Sequence, residues 1–326
     1  MDDSRPRWGR ARRTAIQIPL VIMAIFSRIY VTYALIGIWN RCFGGWRSIF
    51  FCYAGSQNFV SHYAPPGTEA LIRWVPSPIG FLNHNGARGL VIAAPVSESD
   101  FLDPANERAF RRLRKRIRLI ARLMGVKTVN LAGILPGILR DDDILDIPDT
   151  RATIAAAVNA AGVKMTECCF DGVRPPVILL GGAGYVGAPT AELMLRDGFD
   201  VHIVDTRTDK AELPAILRGR RCLLIDISRR GVIADYIPQM WEGMVVLNET
   251  FPRPSGRHTL AMSLAGVDVF HLSGLKGSIV PPLPFGYENA VPCCAAHGID
   301  EVPKVRIVRL QSAINSLLKL RCKEAA

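Results

Sequence analysis

The chain has 326 residues, 49% of them hydrophobic and 21% charged, so it can bury a full core, and its length suits about two domains. A formal net charge of +11 favours anionic partners, such as a phosphorylated cofactor, an acidic protein or a lipid surface. The basic residues are not interleaved with stacking aromatics and no nucleic-acid-binding motif is present, which argues against nucleic acid as a partner. The cysteines at 42, 52, 168, 169, 222, 293, 294 and 322 include no CxxC, so metal-ligand spacing is absent and free thiols in a reducing compartment are expected.

The chain opens with Arg5, Arg7, Arg10, Arg12 and Arg13, followed by an apolar stretch from Ile16 to Trp39 that Arg28 interrupts. That length can cross a bilayer or lie in its plane, with the basic flank held on the cytoplasmic side. A cleaved signal fits poorly, because the stretch is long and no small-x-small site follows it before Cys42. A membrane-associating segment over residues 1–60 is the expectation, and it places the protein at the cytoplasmic face of a membrane or in the cytoplasm.

After Ala64-Pro65-Pro66-Gly67, a smaller α/β domain is predicted over 61–174. Gly89–Pro95 reads as a strand. In Asn106–Met124 the apolar Phe110, Leu113, Ile117, Ile120 and Met124 recur at helical spacing, opposite a basic face of Arg111, Arg112, Arg114, Lys115, Arg118 and Arg122. That face is either an ordinary solvated surface or a dock for an acidic carrier or anionic lipid. Gly125 caps the helix and Val126–Leu131 returns as a strand. The run Asp141–Asp143 reads as a solvated loop, and Thr150–Ala161 as a helix capped by Asp149 or Thr150.

Arg174-Pro175-Pro176 leads into a domain expected over 175–300. Val177–Leu180 is continuously apolar, as a strand covered on both faces must be. Gly182, Gly184 and Gly187 follow in the order GxGxxG, with Ala183, Tyr185 and Val186 between them. The first glycine is assigned the tight turn, the second the close approach to a pyrophosphate, and the third the packing of helix on strand. The helix then aims its free amides at the phosphates, and Pro189 is tolerated in its first turn. A second strand, Val201–Val204, ends at Asp205, where a ribose hydroxyl of NAD would bind; Thr206 adjoins it, and Arg207 can instead pair with the 2′-phosphate of NADP. The sequence leaves NAD or NADP open. Strands at Cys222–Ile227, Met244–Asn248 and Val267–Leu272 supply the second half of the sheet, and a closing helix is expected near Lys304–Lys323 within a C-terminal segment, 301–326. The expected fold class is thus α/β: a doubly wound Rossmann-type parallel sheet preceded by a smaller α/β domain and an N-terminal apolar segment.

Several segments in this order, Asn130–Gly137, Thr150–Thr153, the glycine loop, Leu247–Pro254 and Val291–His297, resemble the long-chain acyl-[acyl-carrier-protein] reductases that form fatty aldehydes, over roughly residues 89–300. The resemblance implies transfer of an acyl group from acyl-carrier protein or acyl-CoA onto an enzyme cysteine, then reduction by a nicotinamide hydride. By motif position that cysteine is Cys294. A thiolate is the common side chain that forms a thioester reducible to an aldehyde. Activation would come from a helix N-terminus or a nearby cation, His297 or Lys276, although His297 stands where the family pattern has a glutamate. His258 is a candidate acid that could protonate a developing alkoxide, with an idle loop histidine as the plain alternative. Two other readings stand beside this one. The segment Gly184–Pro189 is similar to the loop of NAD-dependent UDP-sugar dehydrogenases, and a non-catalytic nucleotide-binding sensor would also keep the loop.

Overall fold

The computed structural model describes residues 30–54, 72–139, 143–145, 147–205, 211–281, 283, 290–296 and 303–310. In chain order the elements are α1 (Val31–Phe43), β1 (Trp46–Ala54), β2 (Ser77–His84), β3 (Ala87–Ser97), α2 (Glu98–Leu102), α3 (Glu107–Met124), β4 (Thr128–Leu131), α4 (Leu135–Ile138), α5 (Arg151–Cys169), β5 (Val177–Leu180), α6 (Gly187–Arg196), β6 (Val201–Val204), β7 (Cys222–Asp226), α7 (Ile233–Tyr236), β8 (Met244–Asn248), α8 (Gly256–Leu264), β9 (Asp268–Leu275), β10 (Ser278–Val280) and β11 (Val305–Arg309). The described residues fall into two compact units: one runs to Thr150 and regains the chain from Lys276, and the other is Arg151–Leu275 with the strand β11. The division therefore lies elsewhere than the expected boundaries at 174/175 and 300/301. Helix α5 belongs with the glycine loop, and Cys293 and Cys294 belong with the first unit.

In the first unit the sheet order is β10-β2-β3-β1-β4. Strand β1 runs parallel to both β3 and β4, while β2 and β10 are antiparallel additions at one edge. Alternation along the strands separates two cores. Ile49, Phe51, Leu90 and Ile92 face the helical layer that contains Tyr33 of α1 and Leu113, Ile117 and Ile120 of α3. Phe50, Cys52, Val91 and Ala93 face a second cluster with Ile279, Val291 and Ala295. Helix α3 occupies the predicted stretch and Gly125 closes it at φ +68°; Arg111, Arg112, Lys115, Arg118 and Arg122 are exposed opposite the buried stripe, whereas Arg114 of the expected basic face is largely buried and pairs with Glu107.

Of the two expectations for the apolar segment, a bilayer-crossing helix is not found over its described part. From Val31 onward the chain forms a helix of 13 residues whose Tyr33 and Gly37 are buried in the first unit, with Asn40 Nδ2 donating to Met124 O at 3.1 Å. No helix of the described residues is long and apolar enough to cross a membrane. Residues 1–29 and the Ala64–Gly67 connection lie outside the described residues.

The second unit is a six-stranded sheet in the order β11-β9-β8-β7-β5-β6. Strands β6, β5, β7, β8 and β9 are parallel and β11 is antiparallel at the edge. Ile178, Leu180, Leu224 and Val246 pack with Ile233, Tyr236 and Met262 on one face. On the other face α5 and α6 meet where Gly162 leaves room for Met194 and Ile225. Helices thus cover both faces, and the expected doubly wound parallel sheet is present. The start of the predicted C-terminal helix is corrected: Val305–Arg309 is a strand antiparallel to β9, with Val305 and Ile307 half-buried on either side of the exposed Arg306. The remainder of that expected helix, from 311 on, is outside the described residues.

Candidate functional site

The chain leaves β5 for β6 on one side, then crosses back to place β7 on the other side of β5. Such a reversal opens a crevice at the carboxyl ends of the two central strands, where doubly wound sheets bind their ligands. Three of the five predicted strands of this sheet, β5, β6 and β8, match their expected spans, and the site grows from their ends.

The corner from β5 to α6 is tightly constrained. Gly181 has φ +87°, and a Cβ there would stand 2.7 Å from Ser228 Cα, so the left-handed turn belongs to Gly181 and not to Gly182 as its place in the motif suggests. Gly182 is excluded from carrying a side chain for a different reason: a Cβ would lie 2.9 Å from Ile203 Cγ2 and 3.0 Å from Leu179 O. Gly184 donates its N–H to Gly181 O at 2.9 Å and accepts from Ala188 N–H at 3.1 Å, which closes the loop onto the helix. At Gly187, the first residue of α6, a Cβ would overlap the Gly181 carbonyl and press against Gly182. The loop and the helix start are therefore in backbone contact, and the N-terminus of α6 opens directly after the end of β5.

Ala183 is exposed, and Tyr185 and Val186 are half-buried. The Arg151 guanidinium sits over the Tyr185 ring, 5.1 Å from its centroid. Asp205 follows β6 and is 4% exposed, in the place where a ribose would be met. Thr206 and Arg207 lie outside the described residues.

Beside this corner stands a polar group that sequence reasoning did not name. Asp226, at the end of β7, is buried and accepts from Ser228 N–H at 3.1 Å and from the Ser228 hydroxyl. Burial pushes its carboxyl up to about 6 against the lowering effect of those two bonds. Thr250 donates its hydroxyl to Ser228 O at 3.0 Å, Asn248 Nδ2 donates to Thr250 O at 2.7 Å, and His271 Nδ1 lies 2.9 Å from Asn248 O. Glu249, next to Asn248, donates its backbone N–H to Asp226 O at 2.9 Å. Burial first, and the Asp226 charge second, push its carboxyl up to about 8. The usable signal was an acid or amide closing each apolar strand, as Asp205 closes β6. The links among them join separate strands and have no local signature.

His258 is half-buried in the first turn of α8, where its backbone N–H donates to the Ser255 side chain at 3.2 Å and caps the helix. His202 bonds Asp200 at 3.2 Å on the sheet edge.

Cys294 is half-buried in a short 3-10 turn, Cys293–Ala295, of the first unit. The helix N-terminus expected to activate it is only this single turn, too short to supply a helix dipole. The structure does bring the turn together with the Asn130–Gly137 segment: Asn130 Nδ2 donates to Ala296 O at 3.2 Å. The Tyr53 hydroxyl accepts from Ile134 N–H at 3.0 Å, and a Cβ on Gly133 would overlap it. Burial pushes the Tyr53 phenol far up, with the charges of Glu98, Cys294 and Cys52 adding to the effect, so it stays a neutral donor. Lys276 is exposed, and His297 lies outside the described residues. All seven described cysteines are free thiols, and no metal-binding cluster occurs among the described residues.

No protein-family model and no curated protein matches the chain. Among solved structures it is similar to shikimate 5-dehydrogenase from Thermus thermophilus, determined with NADP(H) and shikimate, at 17% identity and a TM-score of 0.38, over 68% of this chain and 86% of that one. A bifunctional methylenetetrahydrofolate dehydrogenase/cyclohydrolase from Thermoplasma acidophilum gives 14% identity and a TM-score of 0.34, over 69% and 80% of the two chains. L-tryptophan dehydrogenase from Nostoc punctiforme gives 12% and 0.33, over 69% and 68%.

Proposed function

We propose that the chain is an NAD(P)-dependent oxidoreductase. The observation that carries this reading is the β5–α6 corner, where Gly181, Gly182 and Gly187 hold backbone so close that no Cβ fits, at the switch point of the sheet. A loop with that geometry presents amides and a helix N-terminus to a pyrophosphate and keeps side chains out of the way. Asp205 would take the ribose. The polar ends of β7 and β8 would line the other half of the crevice, with Glu249 holding a proton at neutral pH.

For the substrate, the reading that the residues favour is a fatty acyl thioester, carried by acyl-carrier protein or CoA, with Cys294 as acyl acceptor. Its support is the packing of the Cys293–Ala295 turn against the Asn130–Gly137 segment, to which the buried Tyr53 hydroxyl is also bonded. The Cys294 sulfur would form a bond to the acyl carbonyl as the carrier thiol leaves with the proton. When bound, the coenzyme supplies the hydride. Cys294 is released as a thiol when the aldehyde departs, so each thioester consumes one reduced coenzyme and one proton.

The test is incubation of the full chain with a long-chain acyl-CoA and NADPH or NADH, scoring aldehyde and acyl mass on Cys294. Aldehyde that disappears in Cys294→Ser supports the proposal. Coenzyme binding without acylation confines the protein to the coarser oxidoreductase reading, and coenzyme oxidation by a different substrate class replaces the acyl assignment.

A further inference from the structure

Helix α1 leaves an apolar row uncovered. Val31, Leu35, Ile38, Trp39 and Phe43 are 42%, 60%, 56%, 54% and 72% exposed. Their spacing sets them on one stripe, opposite the buried Tyr33 and Gly37. Trp39 and Phe43 stack at its end with centroids 4.5 Å apart. Single exposed apolar residues are ordinary, but a contiguous row of large ones marks a surface that something covers.

The row has a basic neighbour. Tyr33 of α1 shares one core with Leu113, Ile117 and Ile120 of α3, and Gly37 of α1 lies directly against the backbone of Leu123 and Met124 at the end of α3. The helices touch where Asn40 Nδ2 donates to Met124 O and Arg41 Nη2 donates to Leu123 O at 3.4 Å. On α3 the outward residues are Arg108, Arg111, Arg112, Lys115, Arg118 and Arg122, all exposed. None of them forms an ion pair with another described residue. The remaining arginines of α3 turn inward, Arg114 to Glu107 and Arg116 to Trp74 O.

We propose that this face docks on an anionic lipid surface, with α1 lying in the plane of the membrane and the basic row of α3 against the headgroups. The two features match the two components of an interfacial helix, an apolar stripe for the headgroup–acyl boundary and cationic side chains for anionic lipid. At 13 residues α1 is about 20 Å long, too short to span, and suited to lying flat. An acidic protein would satisfy the arginines but would leave the full length of the α1 row in water; a lipid surface covers both.

The experiment is sedimentation of the full chain with vesicles of phosphatidylcholine alone and of phosphatidylcholine mixed with phosphatidylserine, at low and high salt. The wild-type chain should pellet with the mixed vesicles only, and less at high salt. Each basic residue near such a surface contributes roughly fivefold in partitioning, so Arg111→Gln/Arg118→Gln/Arg122→Gln should lose about a hundredfold. Trp39→Ser/Phe43→Ser should lose at least about tenfold. These side chains lie outside the core, and thermal unfolding of both variants should match the wild type. Three results would overturn the proposal: a wild-type chain that stays in solution with mixed vesicles, folded variants that pellet as the wild type does, or a row that is instead buried in a dimer, shown by light scattering and abolished by Trp39→Ser/Phe43→Ser.

Discussion

At the scale of single residues, the decisive positions are those where a methyl group has nowhere to go. Gly187→Ala would force the Gly181 carbonyl and Gly182 to move, so the variant should lose about 1–3 kcal/mol of stability and bind reduced coenzyme at least about tenfold more weakly. Gly256→Ala is the internal control: no atom lies near its Cβ position and it opens α8, so unfolding and coenzyme titration should both match or exceed the wild type. At the thiols, mass spectrometry after acyl-CoA treatment should find the adduct on half-buried Cys294 and not on Cys293, which is 5% exposed. That Gly182, Gly184 and Gly187 form a strand-to-helix corner was legible in the sequence because they follow one solid apolar run within a few residues. The need for glycine at the left-handed Gly181 was not, since the backbone that a Cβ there would strike, Ser228, is distant in sequence and brought close by β7.

At the scale of elements, the ends of β7 and β8 should set a pH dependence. The Glu249 carboxyl sits at about 8 in the folded chain and in the ordinary carboxylate range when unfolded. Between those values the folded chain keeps a proton that the unfolded chain has released, so stability is fully present below the window and falls as pH rises through it. Asp226, at about 6, acts in the same direction over a narrower range. Thermal unfolding of the wild type should therefore lose more between about pH 5 and about pH 9 than that of Glu249→Gln; equal losses would contradict the assignment. In the first unit, Gly37→Ala would drive a methyl into the Leu123 carbonyl and should loosen α1 from α3 at a cost of about 1–3 kcal/mol, measurable by denaturant unfolding. Elements with a clean period, such as α3, or with a solid apolar run bounded by turns, such as β5 and β8, could be read directly. Strand β1 could not, because the Ile49–Ala54 run has no period to separate strand from helix and its partners β3 and β4 lie far along the chain. In β11 the run Val305–Arg309 is too short and too irregular to show a period, and a helix was expected to close the domain.

At the scale of the whole molecule, two sheets of different strand order account for the sequence, and only the second was readable in outline. The second is assembled almost entirely from consecutive strands, so chain order nearly gives spatial order. The first needs β10 to return after the long excursion Arg151–Leu275 and pair with β2, a contact that no local pattern encodes. The same return carries Cys294 into the first unit, which is why the motif suggested the residue while only the fold shows the segment its turn is tied to, through Asn130 Nδ2 and Ala296 O. The central claim remains that the β5–α6 corner holds the pyrophosphate of a nicotinamide coenzyme. Its most direct test is calorimetric titration of the full chain with NADPH and with NADH, wild type beside Gly187→Ala. Saturable binding of at least one coenzyme, lost in a folded Gly187→Ala, is the predicted result; no saturable heat from either coenzyme, or binding untouched by the substitution, would contradict it.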